Sequence, residues 1–127
     1  MSNLYRPVAY LVDTDFDADG NLINAEIPKD KPVFIMVQAE FCGHCTHAKP
    51  DFQKLADSND GKIFTATIQG DGTEKGEPEL SAKLSNFFPG FRGFPEYVLY
   101  YDGKFKEKYE GGRSFEDLQK YINSLKL

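Results

Sequence analysis

The chain contains no tryptophan and only two cysteines among its 127 residues. Two cysteines are too few for a disulfide-dense secreted scaffold, in which several bridges compensate for a small core. The net charge is −5, with acidic and basic residues interspersed, whereas nucleic-acid binding requires a basic face. No apolar run approaches the ~20 residues that cross a bilayer. We therefore expect no nucleic acid and no membrane among the partners of this chain.

The ends of the sequence carry no recognisable targeting signal. Residues 1–12 lack a basic segment followed by a long apolar core, so they do not form a secretory signal as they stand. Residues 123–127 do not form an endoplasmic-reticulum retention sequence. We expect a cytoplasmic localisation, with a secretory compartment as the alternative if a signal was removed. The length and the hydrophobic content of 40% predict a single domain over residues 1–127.

Strand-like and helix-like segments alternate along the chain. Residues 33–39 form a near-continuous apolar run, which is typical of a strand covered on both faces. Residues 45–57 have apolar side chains at helical spacing, with Pro50 inside, where we expect a kink. Further strands are predicted at 8–12, 62–68, 97–101 and 104–109, and further helices at 78–88 and from the capping residue Ser114 onward. This order predicts an α/β fold with a central mixed sheet flanked by helices on both faces.

The two cysteines occur together as Cys42-Gly43-His44-Cys45, between the predicted buried strand and the predicted helix. A Cys-x-x-Cys in this context predicts a redox-active pair. The spacing allows the thiols to form a disulfide reversibly. The N-terminus of the helix favours the thiolate of the first cysteine, and the thiolate is the reactive form.

Three motifs resemble those of thioredoxin-fold proteins, and specifically a catalytic (a-type) domain of a protein disulfide isomerase with a CGHC active site. They are FCGHC at 41–45, FRGFP at 91–95, and the pair YYDGK at 100–104 and KYEGGR at 108–113. The resemblance extends from about Pro32 to the end of the chain. It implies a thioredoxin-like fold and a thiol–disulfide oxidoreductase that catalyses oxidation, reduction or isomerisation of protein disulfides.

The resemblance also implies roles for individual residues. Cys42 is the nucleophile that attacks a substrate disulfide, and Cys45 is the resolving thiol. Gly43 and His44 tune the pair, because a histidine here stabilises the thiolate and makes the disulfide more oxidising. Arg92 matches an arginine that swings toward the resolving cysteine in disulfide isomerases and lowers its pKa. The alternatives are a solvated turn residue for His44 and a surface residue for Arg92.

A substrate-binding surface is implied beside the cysteines. Pro95 matches the cis-proline of the family, which exposes the backbone of the preceding residue, Phe94, to an extended substrate segment. Phe41, Phe91 and Phe94 would crowd the cysteines. They either form an apolar docking surface or pack inside the protein, and the sequence favours neither.

The chain departs from the family pattern at several positions. Met36 occupies the place of a buried carboxylate, and Thr67 that of its lysine partner on the next strand. Their joint loss is self-consistent, because a lone buried charge is costly. Phe41 replaces a tryptophan, and Glu96 replaces a threonine after the cis-proline, where a negative charge would raise the pKa of nearby thiols. The missing charge pair favours the alternative function, a thioredoxin-fold binding or structural module with weak redox activity.

Residues 15–26 fit the calcium-loop pattern D-x-D-x-D-G-x5-E. An EF-hand loop lies between two helices, and here Pro28 and Pro32 block an exiting helix. We therefore interpret the segment as an acidic, solvated turn.

The cysteines and two nearby histidines form a second pattern that could bind a metal, here zinc. Cys42, His44, Cys45 and His47 lie in one short segment, from which a tetrahedral site rarely draws all its ligands. We expect no metal and no cofactor. The expected partners are protein or peptide disulfide substrates and a redox partner, either glutathione or a reductase, that the sequence does not identify. We expect a monomer.

Overall fold

The computed structural model describes residues 3–126. Five strands form one sheet in the order β1-β3-β2-β4-β5. The strands are β1 Ala9–Tyr10, β2 Val33–Gln38, β3 Phe64–Gln69, β4 Glu96–Tyr101 and β5 Lys104–Tyr109. The α-helices are α1 Gly43–Ser58, α2 Glu77–Ser81, α3 Leu84–Phe87 and α4 Phe115–Ser124. None of these helices is long and apolar enough to cross a membrane.

The predicted mixed sheet and its helical cover on both faces are confirmed. The central strand β2 runs parallel to β3 and antiparallel to β4, and all six of its residues are buried. Its side chains alternate between two core clusters because successive residues of a strand point to opposite faces. Val33, Ile35 and Val37 belong to the first cluster, which packs against α2 and α3. Phe34 and Met36 belong to the second, which packs against α1 and α4.

The helix predicted at 78–88 is two short helices, so the prediction of one continuous helix was wrong. The break falls between α2 and α3, where the N–H of Lys83 bonds to the carbonyl of Leu80, three residues back, instead of continuing the α-helical ladder. Leu80, Leu84 and Phe87 nevertheless all reach the first core cluster. Burial of these side chains is therefore satisfied without a continuous helix.

The first strand and helix α1 also differ from their predicted bounds, whereas the predicted cap of α4 is confirmed. The first strand is reduced to Ala9–Tyr10, an edge strand that pairs only along β3. Helix α1 begins at Gly43, with Cys42 as its N-cap, and contains Pro50. The predicted cap of α4 is present, because the Oγ of Ser114 accepts a hydrogen bond from the N–H of Asp117 at 3.1 Å.

The acidic segment at 15–26 is only partly the solvated turn that the sequence predicts, because Asp19 and Glu26 are exposed but other residues of the segment are packed against the sheet. Phe16 and Leu22 are buried in the first core cluster, and Tyr100 donates a hydrogen bond to the carbonyl of Gly20 at 2.6 Å. Asp15 is also buried, and its carboxylate accepts hydrogen bonds from the N–H of Val12 at 2.8 Å and from Asn24 at 2.7 Å. The Asp15 carboxylate therefore forms hydrogen bonds within this segment of the fold.

Candidate active site

The fold places the two cysteines in different environments at the start of α1. Cys42 is the half-buried N-cap residue, and its sulfur accepts a hydrogen bond from the N–H of Cys45 at 3.1 Å. Cys45 lies in the first turn and is fully buried. Both are free thiols. One sulfur is therefore within reach of a large substrate and the other is not, which is the arrangement that an attacking and a resolving thiol require.

The resolving position is costly to ionise. Burial raises the pKa of Cys45 to about 12, and the neighbouring Cys42 adds to this effect. The backbone of Ala39, just after β2, and the charge of Lys49 act in the opposite direction and lower the pKa of Cys45. Cys45 is thus a protonated thiol at neutral pH. Its attack on a mixed disulfide requires a group that accepts the thiol proton or stabilises the thiolate.

Lys49 is a functional candidate that the sequence analysis missed. It lies one helical turn after Cys45 and is only 3% exposed, which is uncommon for a lysine. The spacing from Cys45 to Lys49 was the available signal, because residues four apart share one face of a helix. Burial keeps its charge poorly screened from the thiol.

Gly43 and His44 are solvent-exposed at the tip of α1. A Cβ atom added at Gly43 would meet no heavy atom within 4 Å, so packing does not require glycine there. His44 lines a shallow cavity of about 220 Å³ with His47, Asp51 and Arg113. The imidazole is therefore accessible to solvent and to an approaching substrate.

The cis-proline loop faces the first cysteine. The Phe94–Pro95 bond is cis. The Phe94 carbonyl oxygen lies 3.6 Å from the Sγ of Cys42, within reach of its S–H. Phe41 is 74% exposed and meets the Phe94 ring edge-to-face at 5.9 Å between centroids. Phe91 and Phe94 pack against the first core cluster. Phe41 is thus an exposed ring, as a docking surface requires, whereas Phe91 and Phe94 are partly packed inside the protein.

Arg92 lies at the surface in this structure. Its side chain is 81% exposed and forms an ion pair with Glu110 at 3.6 Å. Together with Phe94 and Arg113 it lines a groove of about 340 Å³ beside the cis-proline.

Glu96 is oriented differently from the sequence expectation. It alternates with Tyr97 along β4 and lies on the sheet face of Val98, away from α1. Its carboxylate pairs with Lys108 at 3.9 Å. Burial raises the pKa of Glu96, and Lys108 partly opposes that shift. The charge of Glu96 is thus balanced locally, and the expectation that it acts on the thiols is not supported.

Met36 and Thr67 are neighbours, as the sequence predicted. They are paired across β2 and β3, both are fully buried, and the Thr67 hydroxyl donates to the Met36 carbonyl at 2.7 Å. The thioether of Met36 and the hydrogen-bonded hydroxyl of Thr67 thus fill the space that a buried carboxylate and its lysine partner would occupy. Within residues 3–126, no group of three or more His, Cys, Asp or Glu side chains is arranged to hold a metal ion.

Comparison with known proteins agrees with this geometry. The thioredoxin family profile matches residues 8–124. A thioredoxin-like protein of Invertebrate iridescent virus 6 is 45% identical over 129 residues, covering 92% of this chain and 93% of that protein. Protein disulfide-isomerase erp38 of Neurospora crassa is 34% identical over 104 residues, covering 80% of this chain and 26% of the relative. Protein disulfide-isomerase A3 of Gallus gallus is 32% identical over 120 residues, covering 91% and 21% respectively.

The chain therefore spans about a quarter or less of these two disulfide isomerases, but nearly all of the viral protein. The matched range includes both cysteines, the cis-proline and all five strands of the sheet. The chain belongs to the thioredoxin family, and its Cys42–Cys45 pair is that of a thiol–disulfide oxidoreductase.

Proposed function

We propose that this oxidoreductase acts on disulfides in extended segments of proteins or peptides, with Cys42 as the nucleophile and Cys45 as the resolving thiol. The observation that carries the proposal is the asymmetry of the pair. Cys42 is partly accessible beside the Phe94 carbonyl, whereas Cys45 is fully buried behind it in the first turn of α1. A bulky disulfide reaches only the first sulfur.

The reaction consists of two exchanges. The Cys42 thiolate attacks one sulfur of the substrate disulfide, and the other substrate sulfur leaves as a thiolate and takes up a proton. Cys45 then loses its proton and attacks the Cys42 sulfur of the mixed disulfide. The second substrate sulfur leaves and is protonated. The substrate disulfide has gained two electrons and two protons, and Cys42 and Cys45 are joined in a disulfide. Oxidation of a dithiol substrate is the same sequence in reverse.

The backbone beside Pro95 supports an extended substrate. Residues on both sides of the attacked cysteine would add a short strand along Phe94, a mode in which main-chain hydrogen bonds supply affinity. The exposed Phe41 ring would then lie under an apolar residue of the substrate. Arg92 and Glu110, at the rim of the adjacent groove, offer charges of both signs.

The Gly-His dipeptide supports a pair less reducing than thioredoxin. Reference potentials are about −270 mV for thioredoxin and about −180 mV for protein disulfide isomerase. We propose a value nearer to the second, with glutathione or a reductase as the redox partner. The monomeric state and the cytoplasmic compartment remain predictions.

Three measurements test this function. Equilibration of the pair against glutathione buffers gives its potential. Reduction of insulin and reactivation of scrambled ribonuclease then distinguish a reductase from an isomerase. Activity in neither assay, with the disulfide still forming in glutathione buffers, would favour the binding or structural module instead. The buried Met36 and the high pKa of Cys45 are the observations that favour that second candidate.

A further inference from the structure

Tyr97 is the direct neighbour of Met36 on the sheet. The two residues are paired across β2 and β4, and both belong to the second core cluster, under α1. Directly opposed residues on one face of a sheet have side chains in contact range. The position that lacks a carboxylate is therefore flanked by a phenol.

The Tyr97 hydroxyl is buried without a partner. The residue is 3% exposed, and its ring packs against Phe34 at 5.7 Å and Phe52 at 6.1 Å between centroids. Among the residues that the structure describes, none forms a hydrogen bond with this hydroxyl. A buried hydroxyl of this kind lowers stability, and a phenylalanine would fill the same space without that cost. Tyr100, on the opposite face, shows the ordinary case, because its hydroxyl bonds to Gly20.

The resolving thiol, Cys45, is a buried residue of α1, the helix that packs on this cluster. Burial raises the pKa of Tyr97, and a negative charge on the Cys45 sulfur would raise it further. The phenol consequently stays protonated at neutral pH. A neutral phenol is a hydrogen-bond donor and not a base.

We propose that Tyr97 is a positioning residue whose hydroxyl donates a hydrogen bond, directly or through one buried water, to the Cys45 sulfur as that sulfur loses its proton. The proposal rests on the proposed role of Cys45 as the resolving thiol. Tyr97 keeps its own proton. The proton of Cys45 passes to the departing substrate sulfur or to solvent, so that Cys45–SH and the Cys42–substrate disulfide yield the Cys42–Cys45 disulfide and a free substrate thiol.

Other groups around the thiol and the phenol also affect a pH profile. They are Lys49 and Asp51 on α1, Tyr109 on β5, Arg113 before α4, and Cys42 itself. The test must therefore change the hydroxyl alone and leave these groups in place. Tyr97→Phe does so, since the ring and its packing are retained.

A stopped-flow reaction with dithiobis(nitrobenzoate) separates the two steps. The reagent releases one coloured thiolate when Cys42 attacks and a second when Cys45 resolves. Loss of a hydrogen bond to a charged sulfur predicts about tenfold slower second release in Tyr97→Phe, with the midpoint of its pH profile higher by about one unit. The first release should change by less than about twofold, because the hydroxyl does not act on Cys42.

Stability distinguishes a positioning role from a structural one. Tyr97→Phe should unfold at the same or a higher denaturant concentration than the wild type, because an unpartnered buried hydroxyl is removed. Tyr100→Phe is the matched control: it loses a formed hydrogen bond, so it should be less stable but resolve at the wild-type rate.

The outcomes are decisive. An unchanged second release and pH profile in Tyr97→Phe would overturn the inference, as would a loss of stability accompanied by slowing of both steps. If the wild type showed no more second release than Cys45→Ala, Cys45 would not be the resolving thiol. In that case the proposed function would fail, and the inference with it.

Discussion

The carbonyl oxygen of Phe94 lies 3.6 Å from the sulfur of Cys42, although the two residues are 52 positions apart in the chain. The contact joins the start of α1 to the cis-proline loop before β4. A substrate that pairs with the Phe94 backbone would therefore be held beside the sulfur that attacks it. Binding and chemistry share one edge of the protein, and proximity of this kind is a major source of rate enhancement.

The roles of the two cysteines can be separated by substitution. Cys42→Ser should abolish turnover, because no other described thiol is accessible to a protein substrate. Cys45→Ala should instead accumulate mixed disulfides, since attack survives and resolution is lost. Alkylation of the reduced protein near pH 6, followed by peptide mass spectrometry, should label Cys42 much faster than Cys45. Equal labelling rates would contradict the assignment.

Replacement of Lys49 should make Cys45 still harder to ionise. A positive charge stabilises a thiolate and lowers the pKa of the thiol, so Lys49→Met removes a lowering effect and the pKa rises. Below the pKa, each unit of increase reduces the thiolate fraction about tenfold. The pH profile of mixed-disulfide resolution should shift to higher pH. Lys54→Met, at an exposed lysine of the same helix, is the control, and an equal shift there would exclude a specific effect of Lys49.

His44 should influence the redox potential. His44→Pro removes an exposed imidazole at the second position of α1, in the first turn, where proline is tolerated. Loss of a group that favours the thiolate should make the pair more reducing, by on the order of 30 mV, which is about tenfold in the equilibrium constant. Glutathione equilibration measures the change, with His47→Gln as the control for an exposed histidine two residues after Cys45. A potential that does not move would identify His44 as a solvated turn residue.

The Met36 position should not accept a carboxylate alone. Met36 is fully buried, so Met36→Glu should destabilise the fold by about 3 kcal/mol or more in denaturant unfolding. The double variant Met36→Glu with Thr67→Lys should recover part of this loss and speed resolution, because the paired strands place the two new side chains together. Met36→Leu conserves volume and is the control.

Additive losses of stability in the double variant would contradict the predicted interaction between the side chains introduced at Met36 and Thr67. If Thr67→Lys added its own destabilisation to that of Met36→Glu, the two side chains would not interact across β2 and β3. If the double variant recovered stability but resolved no faster than the wild type, the carboxylate would have no part in proton transfer here.

Much of the architecture followed from local sequence patterns. The apolar run at 33–39 predicted the central strand, the Cys-x-x-Cys predicted a helix start with a redox pair, and Ser114 predicted the cap of α4. Each of these signals depends on neighbours within a few residues, which the sequence displays directly. The register of Met36 against Thr67 was also predicted, through the family resemblance.

Other features were decided by tertiary structure. The helix expected at 78–88 is interrupted at Lys83, although its apolar residues still reach the core, because burial specifies which side chains turn inward and not that the helix is continuous. Glu96 was expected to act on the thiols, yet the pleat of β4 directs it to the other face, toward Lys108.

The sequence by itself determined that the two cysteines lie at the start of a helix after a buried strand, because that arrangement requires only contiguous residues. It did not determine how hard the second cysteine is to ionise. That depends on the burial of Cys45 in the folded protein, on the neighbouring Cys42 thiol, on the backbone of Ala39 just after β2 and on the charge of Lys49. Desolvation and charge effects depend on distance in space, so only the folded structure brings together the groups that control the proton of Cys45.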